Sequence, residues 1–248
     1  MRSDSRENGN GGRPQNSLLQ SLSTKDFKTL QPHLDQSEVQ SGQTLYHHGD
    51  VVESLHFPCG PTLLSYAVVV DEDREIDAVL IGREGVAGGV VAGGRVPSYC
   101  RVGVKIGGPL VKLSGRRLEE AERQSNPLRQ LFARYADCLV AQICQSTACN
   151  AAHSIEQRAA KWIIDLIEHT ATEQVLLTHE ELAVILGVAR SYASRVLQGF
   201  RAEGILDTGR GTVTVRDIGL LHRKSCQCNR WVKEHFLEVL LGHKDPGH

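Results

Sequence analysis

The stretch that most restricts this chain is Thr178 to Phe200, THEELAVILGVARSYASRVLQGF, which has the pattern of two short helices joined by a tight turn. Thr178 is placed to cap the first helix while Glu181, three residues on, reaches back to the cap's own amide. Leu182, Ala183 and Leu186 keep one apolar side at helical spacing, Gly187 stands where the chain must turn, and Val188 follows as an apolar plug. In the second helix Ala193, Val196, Leu197 and Phe200 fall on one side, and Arg190, Ser191, Ser194, Arg195 and Gln198 on the other. That outward set holds no carboxylate. It suits the major groove of DNA, where arginine bonds guanine bidentately, glutamine bonds adenine, and serine bonds bases or phosphates. A solvated helical hairpin inside another domain shares the pattern, because helix-turn-helix spacing alone is weakly specific.

The residues that follow add weight to the DNA reading. After Gly204, Ile205 to Thr208 reads as a strand, Gly209-Arg210-Gly211 as a tight turn and Thr212 to Val215 as an alternating strand. This is a two-stranded wing with Arg210 at its tip, suited to a phosphate. Residues 187 to 216 hold five arginines against two carboxylates, a local surplus of three positive charges in a chain of net charge −1. The DNA-facing set expected from these segments is Thr178, Arg190, Ser191, Ser194, Arg195, Gln198 and Arg210.

The 248 residues allow two modest domains, and a sequence pI near 6.8 excludes a chain-wide basic coat, so any nucleic-acid contact is local. The absence of a long apolar run and of an apolar N-terminal signal core leads to the expectation of a cytoplasmic protein with no membrane partner. Seven scattered cysteines in such a chain are expected to be reduced; Cys138, Cys144 and Cys149 lie in an apolar helical stretch and read as small core or interface residues. No nucleophile–base pair, phosphate-cradling GxxxxGK or paired-carboxylate motif points to an enzyme.

Residues 1 to 17 are polar and glycine-rich, as expected of a mobile tail, and helical spacing begins near Leu18. From about Val39 to Leu113 short β-type runs alternate with glycines, the texture of a small barrel or roll. Between Leu118 and Ala152 the pattern is helical: Leu128, Leu131, Tyr135, Cys138, Gln142 and Gln145 recur at spacings of three and four. Residues 127 to 150 would make a rod of roughly 36 Å. Pairing with a twin is one way to bury such a length, with Gln142 and Gln145 fixing register; packing on its own roll is the other. Ser154 with Gln157 forms a second capping box and opens a new helix. Near the end, Cys226-Gln227-Cys228 with His222 and His235 does not have the spacing of a zinc site, so neither metal nor cofactor is expected. Trp231, Val232, His235, Phe236, Val239 and Leu240 make an apolar stripe, read as a final helix packed on the DNA-binding domain.

Residues 41 to 60, SGQTLYHHGDVVESLHFPCG, resemble the opening strands of the cyclic-nucleotide-binding-type β-roll of the Crp/Fnr family. Residues 154 to 160, SIEQRAA, resemble that family's helix leading into its DNA domain, and 178 to 216 its winged helix-turn-helix. The resemblance covers about residues 18 to 225. It implies an α+β chain: a β-roll sensor over 18–114, a dimerisation helix over 115–151 and a winged helix-turn-helix over 152–225, with a helical extension over 226–248. It also implies a homodimeric transcription regulator bound to double-stranded DNA at a palindromic operator, with RNA polymerase as a further partner. The alternatives are a redox- or small-ligand-responsive regulator whose roll binds another effector, and a protein-interaction module without DNA specificity.

Family members that bind cyclic AMP use a Gly-Glu pair for the ribose and an arginine for the phosphate. Here Gly89 stands at the expected carboxylate position, and Ser98 and Tyr99 stand near the expected arginine. A cyclic phosphate without its cation forgoes a contact of about 1.5–3 kcal/mol, so tight cyclic AMP binding is not expected. Arg95 or Arg101 could substitute from a shifted register, which makes Gly88, Gly89, Arg95, Ser98, Tyr99 and Arg101 the effector-pocket candidates. The family's iron–sulfur version needs clustered N-terminal cysteines, and none precedes Cys59. Composition leaves a haem version open through His47, His48 and His56, but His47-His48 sits in a turn before Gly49-Asp50, where solvated histidines are expected. In the DNA domain the resemblance gives Arg190 and Arg195 contacts to base and phosphate. Ser191 replaces the glutamate by which many members read a cytosine, and Ala189 replaces the common serine cap, a loss of about 1 kcal/mol at the helix start.

Overall fold

A computed structural model describes residues 12–71, 74–89, 96–170 and 172–241. Two short helices, α1 (Ser17–Ser21) and α2 (Thr24–Leu30), lead into a single 3-10 turn at Gln31–His33. Asn16, expected to lie in the tail, is fully buried. Its side chain caps α1 by accepting from the Leu19 amide at 3.2 Å, and donates to the Pro58 and Gly85 carbonyls at 2.9 and 2.8 Å. Ordered packing therefore starts before Leu18, because one amide side chain satisfies three backbone groups that would otherwise be buried without partners.

Among the described residues nine strands follow: β1 (Asp35–Val39), β2 (Thr44–Tyr46), β3 (Val51–Val52), β4 (Ser54–Pro58), β5 (Leu63–Asp71), β6 (Arg74–Ile81), β7 (Val96–Pro97), β8 (Arg101–Ile106) and β9 (Gly108–Ser114). They pair antiparallel in the orders β1-β9-β4, β2-β8-β5-β6 and β3-β7. Alternation along β8 and β9 sends Val102, Val104 and Leu110 to one cluster with Leu64, Val79 and Ile81, and Val111 and Leu113 to the other face with Phe57. Gly88 is required where the chain crosses the end of β4: its φ is +123°, and a Cβ there would stand 2.4 Å from the Ser54 carbonyl oxygen.

Helix α3 (Gly115–Glu122) connects the roll to α4 (Asn126–Ala152), a 27-residue rod capped by Ser125 and started by Pro127. Its stripe of Leu128, Leu131, Phe132, Tyr135 and Cys138 is buried inside this one chain, so that face is not the one offered to a twin. The Tyr135 hydroxyl bonds both the amide and the carbonyl of Val86, each at 2.9 Å, and so locks the helix to the roll. Gln142 and Gln145 also turn inward, donating to the Leu80 carbonyl and to Cys228 Sγ rather than fixing a dimer register.

The Ser154–Gln157 capping box forms as the sequence suggests and opens α5 (Ile155–Thr170). Then come β10 (Gln174–Leu176), α6 (His179–Leu186), α7 (Arg190–Ala202), β11 (Leu206–Gly209), β12 (Thr212–Val215), α8 (Ile218–Lys224) and α9 (Cys228–Leu241). Ile163, Leu182, Ala183, Ala193, Leu197, Phe200, Val213 and Leu221 make the core of this part. Helix α9 does not lie chiefly on that core. Phe236 packs edge-on against Tyr135 of α4, with Val232, Val239 and Leu240 beside it, and Lys233 pairs with Asp165 and Glu168 of α5. Trp231, assigned to the apolar stripe, is half exposed. The apolar face forms as its periodicity predicts, but α4 and not the expected DNA-binding domain supplies most of its cover, because Tyr135 and Leu139 of the long helix offer the adjoining apolar surface.

Beside apolar packing, polar contacts join the roll directly to the C-terminal part. Arg74 donates to the Gly187 carbonyl at 2.9 Å. His169, at the end of α5, approaches Glu84 of the roll at 3.4 Å. Burial opposes a charge on His169, but the hydrogen bond and charge of Glu84, with Asp165, outweigh it and lift the imidazole to about 9. Because that value lies above the ordinary 6.5, the stabilisation is full below about pH 6.5 and is lost as pH rises through about 9. The thermal-midpoint advantage of the wild type over His169→Gln should therefore shrink across that window, as followed by circular dichroism in buffers of matched ionic strength.

Candidate nucleic-acid interface

The helical hairpin is built as its local sequence dictates. Thr178 and Glu181 make the complete capping box at the start of α6, with the Thr178 amide donating to Glu181 Oε2 at 2.7 Å and the Glu181 amide to Thr178 Oγ1 at 3.0 Å. Gly187 ends α6 in the left-handed region at φ 68°, and a Cβ there would meet Ile76 Cδ1 of the roll at 3.3 Å. Ala189 stands at the start of α7 and no side chain caps that helix. The Tyr192 amide donates back to the Ala189 carbonyl at 2.9 Å, and the Arg190 and Ser191 amides are left for another acceptor.

Helix α7 buries Ala193, Val196, Leu197 and Phe200 and exposes Arg190, Ser191, Arg195 and Gln198. Ser194 is half-buried and its hydroxyl lies 2.7 Å from His179 Nδ1, so it ties the second helix to the first. Arg190 approaches Glu180 at 3.8 Å, both strongly exposed. The carboxylate-free ridge of the sequence thus acquires one acidic neighbour from the preceding helix. Such an exposed pair holds Arg190 only weakly. Tyr192, which the sequence reading passed over, is exposed, and the Arg195 guanidinium lies 5.0 Å from the centre of its ring. The i, i+3 spacing of an aromatic and a cation was the available signal for this pair.

The wing has three strands in the order β10-β12-β11, one more than expected. Strand β10 escaped notice because it is only three residues long in a polar stretch, with Val175 inward and Leu176 strongly exposed. Arg210 is exposed at the β11–β12 turn, and Gly211 follows at φ 74°. Thr178 lies beside this turn, since a Cβ on Gly211 would meet its methyl at 3.7 Å. Arg216 is held by Asp207 at 2.8 Å. The hairpin, Thr178 and Arg210 therefore belong to one contiguous surface.

The effector-pocket candidates are less coherent. Arg95 lies outside the described residues. The Gly88 amide donates to the Tyr66 hydroxyl at 2.9 Å, Gly89 lies beside Val52, and Ser98 donates to the Cys100 carbonyl at 2.6 Å. Tyr99 is largely exposed, with its carbonyl against His48 at 2.7 Å. Arg101 is ion-paired with Glu75 at 2.5 Å. His47 and His48 occupy the exposed turn foreseen for them, whereas His56 is buried and pushed down to about 4, by burial first and then by Lys112.

Residues 157–224 match the family model of the Crp-like helix-turn-helix domain. No curated protein matches the chain. Among solved structures, a Crp/Fnr-family transcriptional regulator of Eubacterium rectale is 19% identical with a TM-score of 0.66, over 83% of this chain and 96% of that one. FixK2 of Bradyrhizobium japonicum is 14% identical with a TM-score of 0.66, over 78% of this chain and 98% of its own. The c-di-GMP-responsive global regulator CLP of Xanthomonas campestris is 18% identical with a TM-score of 0.63, over 79% and 100%. Among the described residues no helix is long and apolar enough to cross a membrane. The chain is thus a mixed α and β protein with the fold of the Crp/Fnr family of transcription regulators, and it carries that family's helix-turn-helix domain.

Proposed function

We propose that this protein is a sequence-specific DNA-binding regulator that acts as a homodimer on a twofold-symmetric operator. The observation that carries the reading is the division of α7 into a buried apolar side and an exposed side of Arg190, Ser191, Arg195 and Gln198, with Arg210 on the adjoining wing. In this reading Arg195 and Gln198 read base edges and Arg190 and Ser191 flank them. The uncapped amides at the start of α7 and Arg210 hold phosphates, while Ser194 and Thr178 orient the hairpin. Tyr192 supports Arg195 by holding its guanidinium over the ring. RNA polymerase is the natural further partner of such a regulator, and the cytoplasm its natural place.

Dimerisation is supported by a second stripe on α4. Val140 and Ile143 are 59% and 50% exposed, and Ala136, Val140, Ile143 and Thr147 follow one another at the 4-3-4 spacing of a coiled-coil seam. Ile143→Glu should shift the protein from dimer to monomer in sedimentation velocity and weaken operator binding in the same preparation; a dimer that persists unchanged refutes this seam.

Selection of bound sequences from a random duplex pool, at stated salt, gives the operator. Against it, Arg195→Ala should cost about 1–3 kcal/mol and relax selectivity at one position of each half-site. Arg210→Ala should lower affinity for all sequences and reduce the salt slope by about 1. Unaltered selectivity with Arg195→Ala contradicts the assignment.

The roll does not bind cyclic AMP tightly in this proposal. Ser98 and Tyr99 offer no cation, and Arg101 is engaged by Glu75. Calorimetry should show no submicromolar site for cyclic AMP or cyclic GMP; such a site would overturn it.

A further inference from the structure

Four ligand-type side chains converge where the long helix ends. Cys149 and His153 lie one turn apart at the end of α4, and Cys226 and Cys228 stand just before and at the first residue of α9. One ligand atom of each lies within 4.8 Å of every other. Cys149 Sγ is 3.7 Å from Cys226 Sγ, and Cys228 Sγ is 3.6 Å from His153 Nδ1. The three cysteines are buried and His153 is half-buried.

Sulfurs 3.7 Å apart are not a disulfide, whose atoms stand about 2.05 Å from each other. They have the spacing of ligands on one ion. With metal–sulfur bonds of about 2.3 Å and metal–nitrogen bonds of about 2.0–2.1 Å, a tetrahedron places two sulfurs about 3.8 Å apart and sulfur and nitrogen about 3.6 Å apart. The absence of a carboxylate from the set disfavours calcium and magnesium. A cluster of two or four irons would spread its thiolates more widely than this group allows.

We propose that Cys149, His153, Cys226 and Cys228 form a structural site for a single tetrahedral divalent cation of the zinc class. Four protein ligands close the coordination shell and leave no position for a substrate. On binding, the three thiols release their protons to solvent, and three thiolates, a neutral imidazole and a divalent ion carry one net negative charge. A counterion is in place. Lys161, 5% exposed, puts Nζ 3.8 Å from Cys149 Sγ and over the Trp162 ring, with no carboxylate in ion-pair reach among the described residues. Gln145 Nε2 donates to Cys228 Sγ at 3.2 Å, an outer contact that orients the thiolate.

The sequence reading grouped Cys226 and Cys228 with His222 and His235, neither of which joins the cluster. The partners lie more than seventy positions upstream, beyond the reach of any local spacing rule. Between His153 and Cys226 lies the whole helix-turn-helix domain, so the ion would fasten its entry and its exit to the end of α4.

The test uses the full chain purified without chelator. Elemental analysis should find about one zinc per chain, and after stripping, titration with cobalt(II) should produce tetrahedral visible bands and thiolate charge transfer that saturate near one equivalent. Cys228→Ser should weaken the charge-transfer band, since one of the three thiolates is lost, and loosen cobalt binding; if that variant does not fold, the wild-type titration still decides. A protein that contains no metal and gives no such spectrum overturns the proposal. So does an iron–sulfur chromophore, or a Cys149–Cys226 disulfide found by mass spectrometry in metal-free protein.

Discussion

A 27-residue helix with apolar side chains around most of its circumference needs cover on more than one side, and the architecture of this chain follows from how α4 obtains it. The roll covers one side through Val86 and through Phe57, which packs edge-on against Phe132 of the helix, with Tyr135 satisfying both backbone groups of Val86. The C-terminal helix covers a second side through Phe236, and the side carrying Val140 and Ile143 remains open to solvent. Burial of a large apolar side chain contributes about 1.5–3 kcal/mol, so each layer of cover matters in a molecule whose net stability is on the order of 5–15 kcal/mol.

Features fixed by short-range chemistry were legible in the sequence. Both capping boxes, the Gly187 turn and the split of α7 into buried and exposed sides depend on residues three or four apart, and each forms as expected. What could not be seen were choices among distant partners. The stripe of α4 was visible, but whether it faced a twin or its own roll was open, and the structure assigns Leu128 to Cys138 to the chain's own interior. The stripe of α9 was likewise visible, but it packs mainly on α4 and not, as expected, on the DNA-binding domain. Asn16 was hidden because a buried amide in a polar leader has the same letters as a solvated one.

Within the candidate nucleic-acid interface, the residue types were readable and their mutual engagement was not. Arg195 and Gln198 are exposed on the ridge as anticipated, but Arg195 lies over the Tyr192 ring, Ser194 is committed to His179 and Arg190 has Glu180 nearby. These contacts arise between α6 and α7, whose crossing places side chains together that no single helical wheel can pair.

Gly187 occupies two roles at once. It closes the first helix of the hairpin in a left-handed turn, and its carbonyl and its bare Cα are the points at which Arg74 and Ile76 of the roll touch the DNA-binding part. A side chain at this position would disturb the helix turn and the seating of the roll together, so genetic changes at residue 187 cannot separate the two. Arg74 offers that separation, because it reaches the same carbonyl from outside the hairpin and can be removed without altering the turn.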